Sequence, residues 1–441
     1  MVGIVACDIM NTKNLIDDVD LERLQNETFN YFLYETNPEN GLVIDKTGKD
    51  WPSSIAATGM ALTVYPVAIE HGFITRDAAV EKVITTLRFF WNSHQGPEPD
   101  ATGYHGFYYH FLDMRTGRRT WKCELSTVDS AILFAGILTA GIYFDADDER
   151  ETEIRKIADA LYRRADWQWA QNHGPTVTHG WKPERGFLRF RWKGYDEALI
   201  LYILGLGSPT YPLQENSYTE WASTYEWINS YGYEYLYAGP LFIHQMSHIW
   251  IDFRGIQDAY MHNKGIDYFE NSRRATYVQQ QYAIDNPKGY SGYSRNCWGI
   301  TASDGPGPHT FSVDGKKHRY FDYKGRGVPY GPDDGTIAPW AVIASLPFAP
   351  EIVLPAIDYL ENEVKLKVGN PYGFKATFNP SFPHKSTNPY GWVSPWHYGI
   401  NQGPIIAMIE NYKTGFLWRL MRTCPYIING LRRAGFAGGW L

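Results

Sequence analysis

Cysteine is scarce in this chain, and its four copies, Cys7, Cys123, Cys297 and Cys424, lie far apart. No CxxC pair occurs, which excludes a zinc ribbon and a thioredoxin-type motif; one disulfide is allowed and none is needed at this length. No run of 18 or more apolar residues occurs, so no membrane span is expected. A basic excess is missing as well: 41 Lys and Arg stand against 48 Asp and Glu, for a formal net charge of −7. General nucleic-acid and anionic-membrane binders carry the opposite field. Neither a Walker-type nor a GxGxxG cradle is found, which argues against a nucleotide cofactor. The start, "MVGIVACD", places small residues before Cys7 but has no basic region and no full hydrophobic region. Residues 1–19 are therefore set apart as an N-terminal segment, a signal remnant or a chance match.

What the chain has in abundance is aromatic rings. Sixteen Trp, 32 Tyr and 22 Phe make up 16% of the residues. Many must serve as core, since each ring buries a large apolar area, but Tyr and Trp also carry a polar handle suited to half-wet surfaces. A cleft that stacks rings against sugar faces accounts for the excess as well as an aromatic helical core does.

Helical periodicity dominates. Residues 20–36 place Leu21, Leu24, Phe29, Tyr31 and Phe32 largely on one stripe. Further helices are expected at 54–71, 76–93, 126–144 and 148–171, then near 218–230, 241–251, 265–285, 336–346, 349–363, 402–412 and 415–421. The 126–144 stretch is apolar almost all round, which predicts a buried helix. Strand signals are short, as in "GFLRFRW" at 186–192. About a dozen helices alternating between buried and amphipathic fit two concentric rings, an all-α (α/α)6 toroid over residues 20–435. Two helical lobes parted at 287–335 are the alternative. Long loops at 95–124, 172–188, 287–335 and 364–400 are expected to gather at one end and build a cleft.

Several motifs carry candidate chemistry. In "RFRWKGYDEALILYILGLGSP" the adjacent Asp196 and Glu197 open an apolar run. Acids there can cap a helix, or can be the proton donor of a sugar-cleaving enzyme. If both were helical they would point about 100° apart, so one could cap while the other faces a site. A general acid also needs a raised pKa, which a helix N-terminus opposes, so Glu197 would have to be desolvated by neighbours such as Trp192 and Tyr195. "CELSTVDSAIL" holds Glu124 and Asp129 at the start of the most buried helix, with Ser126 and Asp129 spaced as a capping box. His244 and His248 stand at i, i+4, but Gln245 replaces the Glu of HExxH and no third ligand is near, so no metal is expected. Glu270 with Arg273 and Arg274 reads as a helix ion pair. Asp304, Asp333 and Asp334 sit in Gly/Pro-rich turns. Trp298 beside Asp304 suits sugar stacking with hydroxyl hydrogen bonding.

Taken in order, "ELSTVDSAILFAG", "GYDEALILYILGLGSP", "AGPLFIHQMSHIWIDFRGI", "ENSRRATYVQQQYA", "WGITASDGPG", "YGPDDGTIAPWAVIASLPFAPE" and "GINQGPIIAMIENYKTG" strongly resemble the bacterial glucoamylase-like domain family. That family includes bacterial β-1,2-glucanases and is similar to the glucoamylase-like region of cyclic β-1,2-glucan synthases. The resemblance runs from about residue 20 to 430. It implies an (α/α)6 barrel and inverting hydrolysis by acidic residues. Glu197 falls at the acid suggested as proton donor, and Asp129 at another cleft acid. Asn401 departs from the pattern, because family members carry an acid in "GIDQGP" where this chain reads "GINQGP". An amide cannot take a proton from water, so a base at that position is missing or supplied elsewhere.

The resulting expectation is a glycoside hydrolase acting on glucans, β-1,2-linked above others. Glu197 would donate the proton, and Asp129, or position 401 when acidic, would help to activate water. Glu124, Arg191, Trp192, Tyr195, His248, Trp298, Asp304, Trp392 and Trp396 are the candidate substrate contacts. No metal or cofactor, no nucleic acid, a monomer, and a secreted or periplasmic location are expected. The alternatives are an exo-acting α- or β-glucosidase of other linkage, a transglycosylase, and a carbohydrate-binding protein that has lost catalysis at Asn401.

Overall fold

The computed structural model describes residues 20–313, 316–383 and 390–441. The N-terminal segment 1–19, with Cys7 and the signal-like stretch, lies outside them. The first five helices start where side chains take up free backbone N–H groups. Asp20 caps α1 (Leu21–Tyr34), Ser54 caps α2 (Ile55–Glu70), and Thr75 caps α3 (Arg76–Asn92). Ser126 caps α4 (Thr127–Tyr143) and Asp148 caps α5 (Glu149–Arg164). Then come α6 (Leu199–Gly207), α7 (Tyr268–Asp285), α8 (Pro339–Ile343), α9 (Pro350–Asp358), α10 (Gly399–Lys413) and α11 (Pro425–Arg433).

The helices sort into two rings. Helices α2, α4, α6, α8 and α10 are buried on nearly every face, as apolar-all-round sequences require. The inner ring is completed by two 3₁₀ turns, Leu241–His244 and Met246–Ile249, in place of the α-helix expected at 241–251. Gln245 breaks the helix between them, and its side-chain amide donates to Ala341 O (2.6 Å) and Ser345 Oγ (2.7 Å), tying the turns to α8. Amphipathic α1, α3, α5, α7, α9 and α11 lie outside. This is an (α/α)6 arrangement, and one continuous hydrophobic core runs through it from Leu21 to Phe436.

Two crossings need glycine. A Cβ on Gly136 of α4 would sit 2.0 Å from Gly59 O of α2, and one on Gly430 of α11 would sit 1.9 Å from Ile203 O of α6. Elsewhere the sequence misleads. The helix expected at 218–230 is a short helix, Ser217–Ala222, followed by a hairpin of Trp227–Ser230 with Tyr233–Leu236. Its turn residues Tyr231 and Gly232 both have positive φ, the two-residue geometry that matches strand twist. "GFLRFRW" pairs as a strand only at Gly186–Phe187, with one isolated bridge at Arg191. A second hairpin, His309–Val313 with Lys316–Tyr320, lies in the long 287–335 loop.

Inner helices α2, α4, α6, α8 and α10 are entered through long segments, and α2, α4, α8 and α10 are left through short ones. Residues 35–54, 93–126, 165–198, 286–338 and 364–398 precede or lead into inner helices, whereas 71–75, 144–148 and 414–415 connect at the other end. The long segments therefore collect over the N-terminal ends of the inner ring.

Candidate active site

Those N-terminal ends surround a cavity of about 420 Å³. Ser54 comes from the cap of α2, Asp129 from the first turn of α4, Glu197 from just before α6, Phe242 and Met246 from the 3₁₀ turns, Trp340 from α8 and Asn401 from the first turn of α10. Long segments add Asp45, Lys46, Trp51, His110, Phe111, Trp121, Tyr323 and Tyr398. A larger open hollow of about 690 Å³ lies against α3, but Glu39 is the one carboxylate on its wall, so it cannot offer an acid–base pair.

Asp196 and Glu197 divide their work. Asp196 Oδ1 accepts from the Ala198 backbone N–H (3.0 Å) and from the Trp221 indole (3.0 Å), which fixes the entry to α6. Glu197 accepts no hydrogen bond among the described residues, and it is half-buried, open to the cavity with protein behind it. Desolvation, with Asp196 and Asp129 adding negative charge and only His110 opposing, pushes its carboxyl up to about 8. It is therefore a protonated acid at neutral pH.

Across the cavity, Asp129 is both cap partner and wall. Its N–H donates to Ser126 Oγ (3.2 Å), and the Ser126 hydroxyl donates to Asp129 Oδ2 (2.5 Å). The His110 ring lies between two acids, with Nδ1 2.9 Å from Glu124 Oε1 and Nε2 3.7 Å from Asp129 Oδ2. Burial pulls the imidazolium down, but Asp129, Glu124 and Asp45 outweigh it and push His110 up to about 9. For Glu124, burial is overcome by the His110 hydrogen bond and charge, which bring the carboxyl down to about 2. His110 is thus a fixed cation and Glu124 its counter-ion.

Rings line the mouth. Trp51 and Trp121 meet edge to face at 4.8 Å, and Trp121 also packs on Phe111 at 5.2 Å. Trp121 and Lys122 both adopt positive φ, and Trp121 stays 55% exposed. Lys46 Nζ sits 4.0 Å above the Trp51 ring and donates to the Tyr398 hydroxyl at 3.3 Å.

Of the residues singled out in sequence, Glu197, Asp129 and Asn401 meet at this cavity. Glu124 reaches it through His110. The others stand elsewhere. Trp298 is fully buried and cannot stack on a ligand. Tyr195 packs inside against His244 and Tyr225, so desolvation of Glu197 falls to Phe242, Met246 and Trp340 on the cavity wall. Arg191 spends its guanidinium on the backbone carbonyls of Gln171, Thr176 and Asn172. Trp192 donates its indole N–H to Thr127 Oγ1 (3.0 Å). His248 is buried against Ser272 Oγ (3.0 Å), and burial lowers it to about 3, so it is neutral. Asp304 accepts from the Ser394 hydroxyl (2.6 Å) and braces the loops. Trp392 lies in a two-residue strand, and Trp396 stands behind Lys46, 5.2 Å from its Nζ. Asp45, Lys46, Trp51, His110, Trp121, Tyr323 and Tyr398 escaped the sequence reading. The length of the 95–124 loop is the one signal that pointed toward His110 and Trp121.

The family model described as "Putative glucoamylase" matches residues 189–425. A solved protein of Bacteroides uniformis with the same description is 34% identical, with a TM-score of 0.83, covering 96% of this chain and 98% of that one. The endo-β-1,2-glucanase of Chitinophaga pinensis, solved with sophorotriose and glucose, is 26% identical with a TM-score of 0.83, covering 98% and 99%. The exo β-1,2-glucooligosaccharide sophorohydrolase (non-reducing end) of Parabacteroides distasonis is 28% identical over 457 residues, covering 96% of this chain. The chain spans 58% of the length of that relative.

Proposed function

The chain belongs to the glucoamylase-like family, and from that premise we propose that it is a glycoside hydrolase cleaving β-1,2-linked glucans with inversion. The observation that carries the proposal is Glu197, a carboxyl kept protonated near pH 7 on the wall of an aromatic-lined cavity that also holds ionisable Asp129 and Asp45. A protonated acid facing a second carboxylate is the pairing that glycosidic cleavage requires. Glu197 donates its proton to the leaving glycosidic oxygen. Asp129 or Asp45 takes a proton from the attacking water. The rings of Trp51, Trp121 and Tyr323 offer faces for sugar stacking, and Lys46 and His110 offer donors for hydroxyls. The β-1,2 linkage is supported by the substrates named for the Chitinophaga and Parabacteroides relatives.

The test is incubation with β-1,2-glucan beside α-1,4-, β-1,3- and β-1,4-glucans, with product lengths followed over time. Short oligosaccharides from the β-1,2 polymer alone are expected, and Glu197→Gln should lower kcat roughly 10²–10⁴-fold. Binding without turnover by the unaltered chain would instead favour a carbohydrate-binding protein.

A further inference from the structure

The carboxylates on the cavity wall among the described residues are Asp45, Asp129 and Glu197. In the hydrolytic reading, on which this inference rests, Glu197 is the proton donor. The base is then one of two. Asp129 has its Oδ2 engaged by the Ser126 hydroxyl at 2.5 Å and faced by the His110 imidazolium at 3.7 Å. Asp129 is thus occupied as the partner of Ser126 and His110. Asp45 is set differently. The Trp51 indole donates to its Oδ2 (3.1 Å), while Oδ1 accepts no hydrogen bond among the described residues. Its backbone is clamped at both ends: its N–H donates to Pro52 O (2.8 Å), and its carbonyl accepts from the Gly399 N–H (2.9 Å). Gly399 opens α10, whose first turn carries Asn401 into the same cavity. The carboxylate is thereby anchored at the foot of the helix whose polar cavity residue is an amide.

We propose that Asp45 is the general base of this chain and that the Asn401 amide orients the attacking water beside it. One water O–H bond breaks, its proton passes to Asp45 Oδ1, and the water oxygen forms the new bond to the anomeric carbon. The bond from that carbon to the bridging oxygen breaks, and its electron pair stays on the bridging oxygen, which takes the Glu197 proton. Asp45 ends neutral and Glu197 ionised, and exchange with solvent resets both. Asp45 is faced by His110, Lys46 and Asp129, and by the phenols of Tyr31, Tyr323 and Tyr398. Desolvation and Asp129 push its carboxyl up, against His110, Trp51 and Lys46, to about 6. A base of that strength suits work near neutral pH.

The experiment measures initial rates of the full chain on β-1,2-glucan from pH 4 to 9 for the unaltered protein, Asp45→Asn, Asp129→Asn and Trp51→Phe. The unaltered protein should lose activity as pH falls through about 6. Asp45→Asn should lower kcat roughly 10²–10⁴-fold at pH 7 with KM within about threefold, and should abolish that acid limb. Azide, which needs no deprotonation, should restore turnover to Asp45→Asn and yield a glucosyl azide. Asp129→Asn should keep the acid limb. Trp51→Phe removes the hydrogen bond that lowers Asp45, so its acid limb should move upward; this variant tests the assignment even if Asp45→Asn does not fold. Asp45→Asn retaining more than a tenth of kcat with its acid limb intact overturns the assignment, as does a Trp51→Phe limb that stays in place. No product from any glucan with the unaltered chain would overturn the hydrolytic reading itself, and this base with it.

Discussion

Glu197 accepts no hydrogen bond among the described residues, and the cost of that isolation should be measurable as stability. Its folded pKa of about 8 lies above the ordinary carboxyl value, so the folded state holds the proton more tightly than the unfolded chain does. Between about pH 4.5 and 8 the unfolded chain binds fewer protons, and stability falls as pH rises through that window. Glu197→Gln removes the charge and keeps the shape. Alongside the lost turnover it should raise Tm at pH 8 by roughly 1–4 °C and leave Tm at pH 4 unchanged. His110 acts with the same sign over a different range. Its folded pKa of about 9 means its contribution is complete below about 6.5 and lost as pH rises to 9. His110→Asn should flatten the Tm profile between those values. Scanning calorimetry across pH separates the two, and a flat profile in the unaltered protein would refute both assignments. Of these residues Glu197 was singled out through the family resemblance, since an acid before an apolar run reads equally well as a helix cap, and the structure puts it on the cavity wall. His110 and Asp45 were hidden, since nothing in "YYHFLD" or "VIDKTG" indicates that they face α4 and α6.

Helices were legible wherever burial dictated composition. The bounds of α1 to α4 follow from capping residues and apolar spacing that any homogeneous core would impose, whereas α5, expected to run to 171, stops at Arg164, where Ala165 turns extended and Asp166 caps a separate turn, Trp167–Ala170. Where tertiary contacts decide, local pattern failed. "FIHQMSHIW" has helical spacing, yet it forms 3₁₀ turns because Gln245 is drawn to α8. Helix α11 was not expected, although proline at its first position is a start signal shared with α8 and α9; what makes it a helix of the bundle is the seat that α6 offers it, with Gly430 against Ile203 O. Close packing between elements leads to a test. Gly136 and Gly59 let α4 and α2 approach backbone to backbone, and both helices place cavity residues at their N-terminal ends. A methyl on Gly136, 2.0 Å from Gly59 O, must push the helices apart. Gly136→Ala should cost about 1–3 kcal/mol in urea unfolding, even though alanine is the better helix former. Its kcat should fall as well, since Asp129 rides on the displaced helix. A stability gain of the size helix propensity alone would give would show that the crossing is looser than described.

The cavity exists because the ring closes on itself. Asp45 comes from the first long segment, Asn401 from the last inner helix, and a bridge from Lys46 to Tyr398 joins them. At the far end, Gln25 of α1 donates to Ile406 O (3.1 Å), and His71 contacts Glu410 Oε2 (2.7 Å). Contacts this distant in sequence cannot be read from local pattern, which is why the (α/α)6 ring was legible in outline while the wall residues were not. The C-terminal stretch carries its own share of the closure. The Trp418 indole donates to His248 O (2.6 Å), the Trp440 indole to Asp252 O (2.7 Å), and Arg433 to Leu206 O (2.8 Å). Helix α11 covers α6, whose residues are apolar and buried on every side. A chain ending at Lys413 would leave α6 with an uncovered hydrophobic face just beyond Glu197. It should bind a dye such as ANS, lose near-UV circular dichroism and lose turnover together, while helices outside that seam keep much of the far-UV signal. If such a chain still unfolded in one sharp transition and cleaved substrate, the seat of α6 would be dispensable, and the position of Glu197 would have to be fixed by Asp196 and its indole partner alone.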